Sequence, residues 1–168
     1  SRFRDNEDCA RFRALNDGWL PDFALFMALK DKFSGAPWYE WEDELKFRKP
    51  AALSQAFVEL HESIQFYCFV QYLFCRQWSA LRAYAKERNV KIIGDVPIYV
   101  PLDSADVWSS PELFQLDDTL TPTAVAGCPP DAFSEDGQLW GNPLYRWDLL
   151  KADGYSWWIR RLAAAGKI

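Results

Sequence analysis

Apolar side chains recur at alternating three- and four-residue steps from Phe57 through Leu60, Ile64, Tyr67, Phe74, Trp78 and Leu81 to Ala85, with Gln71 the one polar residue in register. No Gly or Pro interrupts residues 51–88. This is the helical period sustained for about eight turns, and it predicts one long helix over 50–88 packed along a core. Its aromatics are bulkier than the Leu, Ile and Val usual at a coiled-coil seam. His61 and Gln71 read as satisfied polar neighbours on that helix. Upstream, Cys9, Phe12 and Leu15 share a helical face over 5–15, which Asn16-Asp17-Gly18 should stop. Pro21 and Asp22 open a strongly apolar helix that ends near Ser34-Gly35-Ala36-Pro37, with Met27 as adaptable filler. Trp38 and Trp41 can stack on a ligand, but two tryptophans beside a helix start more often pin a loop to the core.

The pattern changes at residue 90. Val90 to Ile93 is nearly continuous in β-branched residues, as in a strand buried on both faces of a parallel sheet, so the chain falls in the α/β class. Gly94 permits close backbone approach, and Asp95 then stands at the carboxyl end of the strand, where open sheets and barrels keep their chemistry. The other reading of Asp95 is a turn cap or a partner for an arginine. Residues 101–145 are rich in turn formers and hold one short helix, Pro111 to Phe114, capped by Ser110. A connection this long is functional or disordered, and its Trp, Phe and Tyr content argues against disorder. Two helices close the chain, one from Trp147 to Asp153-Gly154 and one from Tyr155 to Ala165 with Gly166 as its cap.

Composition narrows the function. The chain has 168 residues, enough for one domain but fewer than the roughly 250 of a complete (β/α)8 barrel. The net charge of −5 comes with no Lys/Arg-rich block, which argues against nucleic acid or an anionic membrane as partner. There is no apolar run of membrane-spanning length. One histidine and four cysteines without Cys-x-x-Cys spacing cannot build the common zinc sites, so no metal is expected. Cys9, Cys68, Cys75 and Cys128 are read as reduced thiols of a cytoplasmic protein. Nine tryptophans within an aromatic share of 17% are the outlier, and flat rings with a polar tip suit stacking on sugars.

Longer motifs give a resemblance. Ile92-Ile93-Gly94-Asp95-Val96-Pro97-Ile98-Tyr99-Val100, Asp103-Ser104-Ala105-Asp106-Val107-Trp108, Val125-Ala126-Gly127-Cys128-Pro129-Pro130-Asp131 and Gly137-Gln138-Leu139-Trp140-Gly141-Asn142-Pro143-Leu144-Tyr145 run in order. Arg146-Trp147-Asp148, Asp153-Gly154-Tyr155 and Trp157-Trp158-Ile159 follow, while Trp19 to Phe26 and Gln71 to Trp78 fit upstream. In these motifs the chain resembles the amylomaltase or 4-α-glucanotransferase family of the α-amylase clan, over essentially its whole length.

That resemblance implies a helix-rich piece of a (β/α)8 barrel, incomplete here: a helical part over 1–89, a third barrel strand over 90–100, an active-site loop insertion over 101–147 and helices over 148–168. It implies transfer of α-1,4-glucan segments between maltooligosaccharides with retention, which requires a carboxylate nucleophile and an acid/base carboxyl. The family's nucleophile stands in an Arg-Ile-Asp-His-type motif that these residues do not contain, and its other two carboxylates come from later strands. No catalytic residue and no cofactor is therefore expected here, and the chain alone should be inactive. The residues implied to contact substrate are Asp95, Asp131, Phe133, Gln138, Trp140 and Asn142. Where the family carries Tyr after Pro-Pro-Asp, this chain has Ala132, which removes a ring and hydroxyl from the loop. Two other classes remain open: a non-catalytic glucan-binding module carried by the aromatic loop, and a helical interaction domain organised by 50–88. A strand left without neighbours is also expected to promote self-association.

Overall fold

The computed structural model describes residues 7–167 and falls into two compact units, one of residues 7–95 together with 165–167, the other of residues 96–164. The first is helical. Helix α1 (Glu7–Leu15) is followed by a turn in which Asn16 Nδ2 donates to the Phe12 carbonyl at 2.8 Å, and the Trp19 indole donates to Asn16 Oδ1. Helix α2 (Leu20–Lys32), with Pro21 in its first turn, buries Leu20, Ala24, Leu25, Ala28 and Leu29. Each large side chain so buried stabilises the fold by roughly 1.5–3 kcal/mol. The stop comes where expected: Ser34 and Gly35 turn left-handed at φ 53° and 85°, and the Gly35 N–H closes back on the Lys30 carbonyl at 2.7 Å. Trp38 and Trp41 are buried, Trp41 against Phe26 and Phe33, so both tryptophans pin the connection to the core.

After helix α3 (Asp43–Lys46), the expected single helix over 50–88 is two, α4 (Pro50–Glu59) and α5 (His61–Glu87). The interruption at Leu60 has neither Gly nor Pro. It falls between the two segments that α2 engages, through Lys32 with Glu59 at 3.0 Å and Asp31 with the Tyr67 hydroxyl at 2.6 Å. The buried edge of α5 is Ile64, Cys68 and Tyr72, while Phe74, Leu81 and Tyr84 toward its end are exposed. The helix ends at Asn89, which tolerates the left-handed conformation at φ 55° while the Val90 N–H bonds the Ala85 carbonyl.

The strand expected over 90–100 does not form. It is irregular and has no ladder partner among the described residues, and a parallel strand cannot exist without neighbours to receive its slanted hydrogen bonds. Ile93 is 95% exposed.

In the second unit, helix α6 (Ala105–Ser109) starts at Ser104, whose Oγ accepts from the Val107 N–H, and the short helix expected after Ser110 is a single tight turn, Pro111–Leu113. The stretch read as a loop contains a hairpin, β1 (Val125–Cys128) paired antiparallel with β2 (Gln138–Pro143). Helices α7 (Trp147–Ala152) and α8 (Ser156–Lys167) complete it, and α8 runs on through Gly166 instead of stopping there. Its core is aromatic: Trp108, Phe114, Tyr145 and Trp157 are buried with Val107, Pro143 and Leu150. The chain is thus helix-rich, with one two-stranded antiparallel sheet among the described residues. No helix among them is long and apolar enough to cross a membrane.

Candidate functional site

The hairpin carries most of the residues that the motifs single out. Val125 faces Pro143 and Gly127 faces Leu139, so one residue of β1, Ala126, opposes Trp140, Gly141 and Asn142 of β2. The excess forms a bulge with Gly141 at φ 78°, a conformation that glycine adopts without strain. Bulges bend a strand and re-aim its side chains, and they recur beside active sites. At the other end, Gly127 must be glycine because a Cβ there would strike the Gln138 carbonyl oxygen. Gly137, at φ 73°, has its Cβ direction filled by the Cys128 carbonyl oxygen.

Residues 129–137 form the tip. Asp131 Oδ1 accepts the N–H groups of Phe133 at 2.8 Å and Ser134 at 2.9 Å, and the Asp131 N–H donates to the Ser134 carbonyl. Ser134 Oγ in turn donates to the Gly137 carbonyl at 2.7 Å. Asp131 therefore builds the turn that lifts Phe133 into solvent, where the ring is 95% exposed. Trp140 is half exposed, and its indole donates to Gln138 Oε1 at 3.0 Å, which fixes both side chains and leaves the Gln138 amide nitrogen free to donate. The half-buried Asn142 amide makes no hydrogen bond to a described residue. Two flat rings and two amides with open hydrogen-bonding capacity are what a polyhydroxylated ligand requires. Asp95 belongs to the other unit. It is exposed and makes neither a cap nor an ion pair with a described residue.

Behind the hairpin lies a cluster that sequence reading did not single out. Tyr99 contacts Trp140 on one side and stacks on Tyr145 on the other, both with centroids 6.1 Å apart. Tyr145 donates its hydroxyl hydrogen bond to the Ile98 carbonyl at 2.8 Å and touches Phe114, Trp147, Trp157 and Trp158. Burial pushes the Tyr145 phenol above its ordinary range, partly offset by the nearby Arg161 guanidinium. Asp106 is also raised by burial against the same arginine's opposing pull. Arg161 lies over Trp157 at 5.1 Å and Trp158 at 5.5 Å. Tyr99 and Tyr145 were visible only as members of motifs, because neither sits in a periodic pattern.

An exposed hairpin with rings and amides, backed by packed aromatics, has the chemistry that a polyhydroxylated ligand would need. Comparison with known proteins gives the family. The family model for 4-alpha-glucanotransferase matches residues 1–168, and the chain belongs to that family. It is 53% identical over 161 residues to a 4-alpha-glucanotransferase of Thermus thermophilus and 46% identical over 166 residues to that of Clostridium butyricum. These alignments cover 96% and 98% of this chain but 32% and 34% of the relatives, so the chain spans about a third of their length. Among solved structures, the amylomaltase from Streptococcus agalactiae in complex with acarbose superposes with a TM-score of 0.87 at 44% identity, over 93% of this chain and 32% of that one.

Proposed function

We propose that the chain is a central segment of a longer cytoplasmic 4-α-glucanotransferase, contributing the loop that holds an α-1,4-glucan while catalytic carboxylates on other segments break and remake the glycosidic bond with retention. The observation that carries this reading is the hairpin, with Phe133 presented at its tip and Trp140, Gln138 and Asn142 on β2, in a chain of this family. Trp140 and Phe133 stack on sugar faces, while Gln138 and Asn142 hydrogen-bond the hydroxyls. Asp131 acts by shaping the turn. Asp95 accepts from a sugar hydroxyl beside the nucleophile. In the full-length protein residues 90–100 form the third strand of a (β/α)8 barrel, and 101–147 is an insertion over its open end. Acarbose in the Streptococcus agalactiae amylomaltase supports a glucan-like occupant. No cofactor enters this chemistry, which needs only carboxyl groups.

The test uses the full-length enzyme and maltotriose. Glucose and longer maltooligosaccharides should appear together as disproportionation proceeds, and their absence overturns the reading. The 168-residue polypeptide alone should produce neither, because it has no Arg-x-Asp-His motif.

A further inference from the structure

The second unit contains a hollow of about 420 Å³ that shares no residue with the hairpin tip. It is shallow and open to solvent, so a ligand would lie across it and not be enclosed. Gln115, Thr123, Tyr145, Arg146, Trp147 and Asp148 line it, bringing one ring face together with several hydrogen-bonding groups. Trp147 is 53% exposed and is held in place by stacking on Trp158, at 15° between planes and 6.2 Å between centroids. Beside it, Arg146 Nε and Nη2 donate to the two oxygens of Asp148 at 3.1 and 2.9 Å. That pairing lowers the Asp148 carboxyl, through the Arg146 hydrogen bond first, and favours the ionised acceptor. The pair leaves Arg146 Nη1 to donate, and Thr123 Oγ1, which donates to the Gln115 carbonyl at 3.1 Å, keeps its lone pairs for a ligand hydroxyl. Gln115 Nε2 is tied to the Tyr145 carbonyl at 3.0 Å, which turns its amide oxygen into a fixed acceptor.

We propose that this hollow is a second glucan contact, distinct from the hairpin tip, that grips another part of the same long α-1,4-glucan or another chain of it. The inference rests on the functional reading above and adds a site to it. Donors and acceptors already ordered by one another cost little entropy on binding, and a guanidinium beside a carboxylate can engage two neighbouring hydroxyls of one sugar. Trp140 and Trp147 are the exposed ends of one ring series, joined through the packed Tyr99 and Tyr145. A ligand long enough to meet both gains by effective concentration, whereas maltotriose engages one site at a time.

The experiment is native gel electrophoresis of the full-length enzyme through soluble amylose, with KM measured for amylose and for maltotriose. Trp147→Ala should weaken amylose retardation roughly five-fold, the scale of one lost ring contact, and raise the ratio of the amylose KM to the maltotriose KM. Trp147→Phe should recover most of the loss. If Trp147→Ala fails to fold, as judged by circular dichroism, the exposed Asp148→Asn substitution carries the test and should also weaken retardation. Undiminished retardation in the folded variants overturns the site, as it would if other segments of the enzyme cover the hollow. Equal loss for maltotriose and amylose overturns it too, by placing Trp147 in the same site as Trp140. An enzyme that is retarded by amylose but never disproportionates maltotriose sinks the functional reading and leaves the site standing.

Discussion

Gln138 and Trp140 lie two apart on β2, hence on one face, and the indole-to-amide hydrogen bond locks them as a unit. In the full-length enzyme Trp140→Ala should lower kcat/KM for maltotriose, with a stacking loss of about 1 kcal/mol and no change in thermal midpoint, because the ring is half exposed and supports little of the core. Unchanged kinetics would return Trp140 to a packing role. A second single-residue effect lies in the other unit. Burial, and after it the hydrogen bond and charge of Asp31, push the Tyr67 phenol up to about 12 from an ordinary 10.0. The folded pKa is raised, so the contribution to stability is fully present below pH 10.0 and is lost as pH rises through about 12. Comparison of wild type with Tyr67→Phe by alkaline denaturation should show a stability gap that is constant up to pH 10.0 and closes toward about 12. A gap independent of pH would show that the Asp31 contact is not formed in solution.

At the scale of elements, the hairpin is only as useful as what stands behind it. Tyr99 is half-buried between Trp140 and Tyr145, so it orients the indole from behind without itself being part of the exposed tip. Tyr99→Ala should raise the maltotriose KM toward that of Trp140→Ala, and Tyr99→Phe, which keeps the ring, should restore it. A Tyr99→Ala enzyme with wild-type KM would make the contact incidental. The helices were legible because Pro21, Pro50, Gly18 and Gly35 punctuate periods that local burial then satisfies. Leu60 was not, because the pause there falls between two contacts with α2 and no Gly or Pro marks it in the sequence. The hairpin escaped notice for a different reason. Val125 to Cys128 contains only four residues, and a bulge at Trp140 to Asn142 destroys the two-residue alternation by which a strand is recognised. The site residues were reached through motifs, and the structure adds why they hold together: Asp131 caps, Gly137 and Gly141 turn, and Tyr145 anchors.

At the scale of the whole molecule, the unpaired stretch over 90–98 decides behaviour. The β-branched residues of Val90 to Ile93 led to the expectation of a strand, but strand formation is a property of neighbours, and none pairs with it among the described residues. Its apolar side chains therefore meet water: Val90 is 58% exposed, Ile92 47%, Ile93 95% and Ile98 66%. A backbone outside any ladder with an apolar flank is a template for pairing with another copy. Under the proposal that 90–100 is a barrel strand of a longer enzyme, neighbouring strands cover the same residues. The 168-residue polypeptide by itself should elute in size-exclusion chromatography with light scattering at a mass above its own 19.5 kDa, rising with concentration. Ile93→Lys places a charge at the most exposed position of the stretch, where it disturbs no packing, and should return the polypeptide toward monomer. A wild-type polypeptide that stays monomeric at high concentration and unfolds cooperatively would show that these residues are satisfied within one chain, and the barrel-strand assignment of 90–100 would fall with the association.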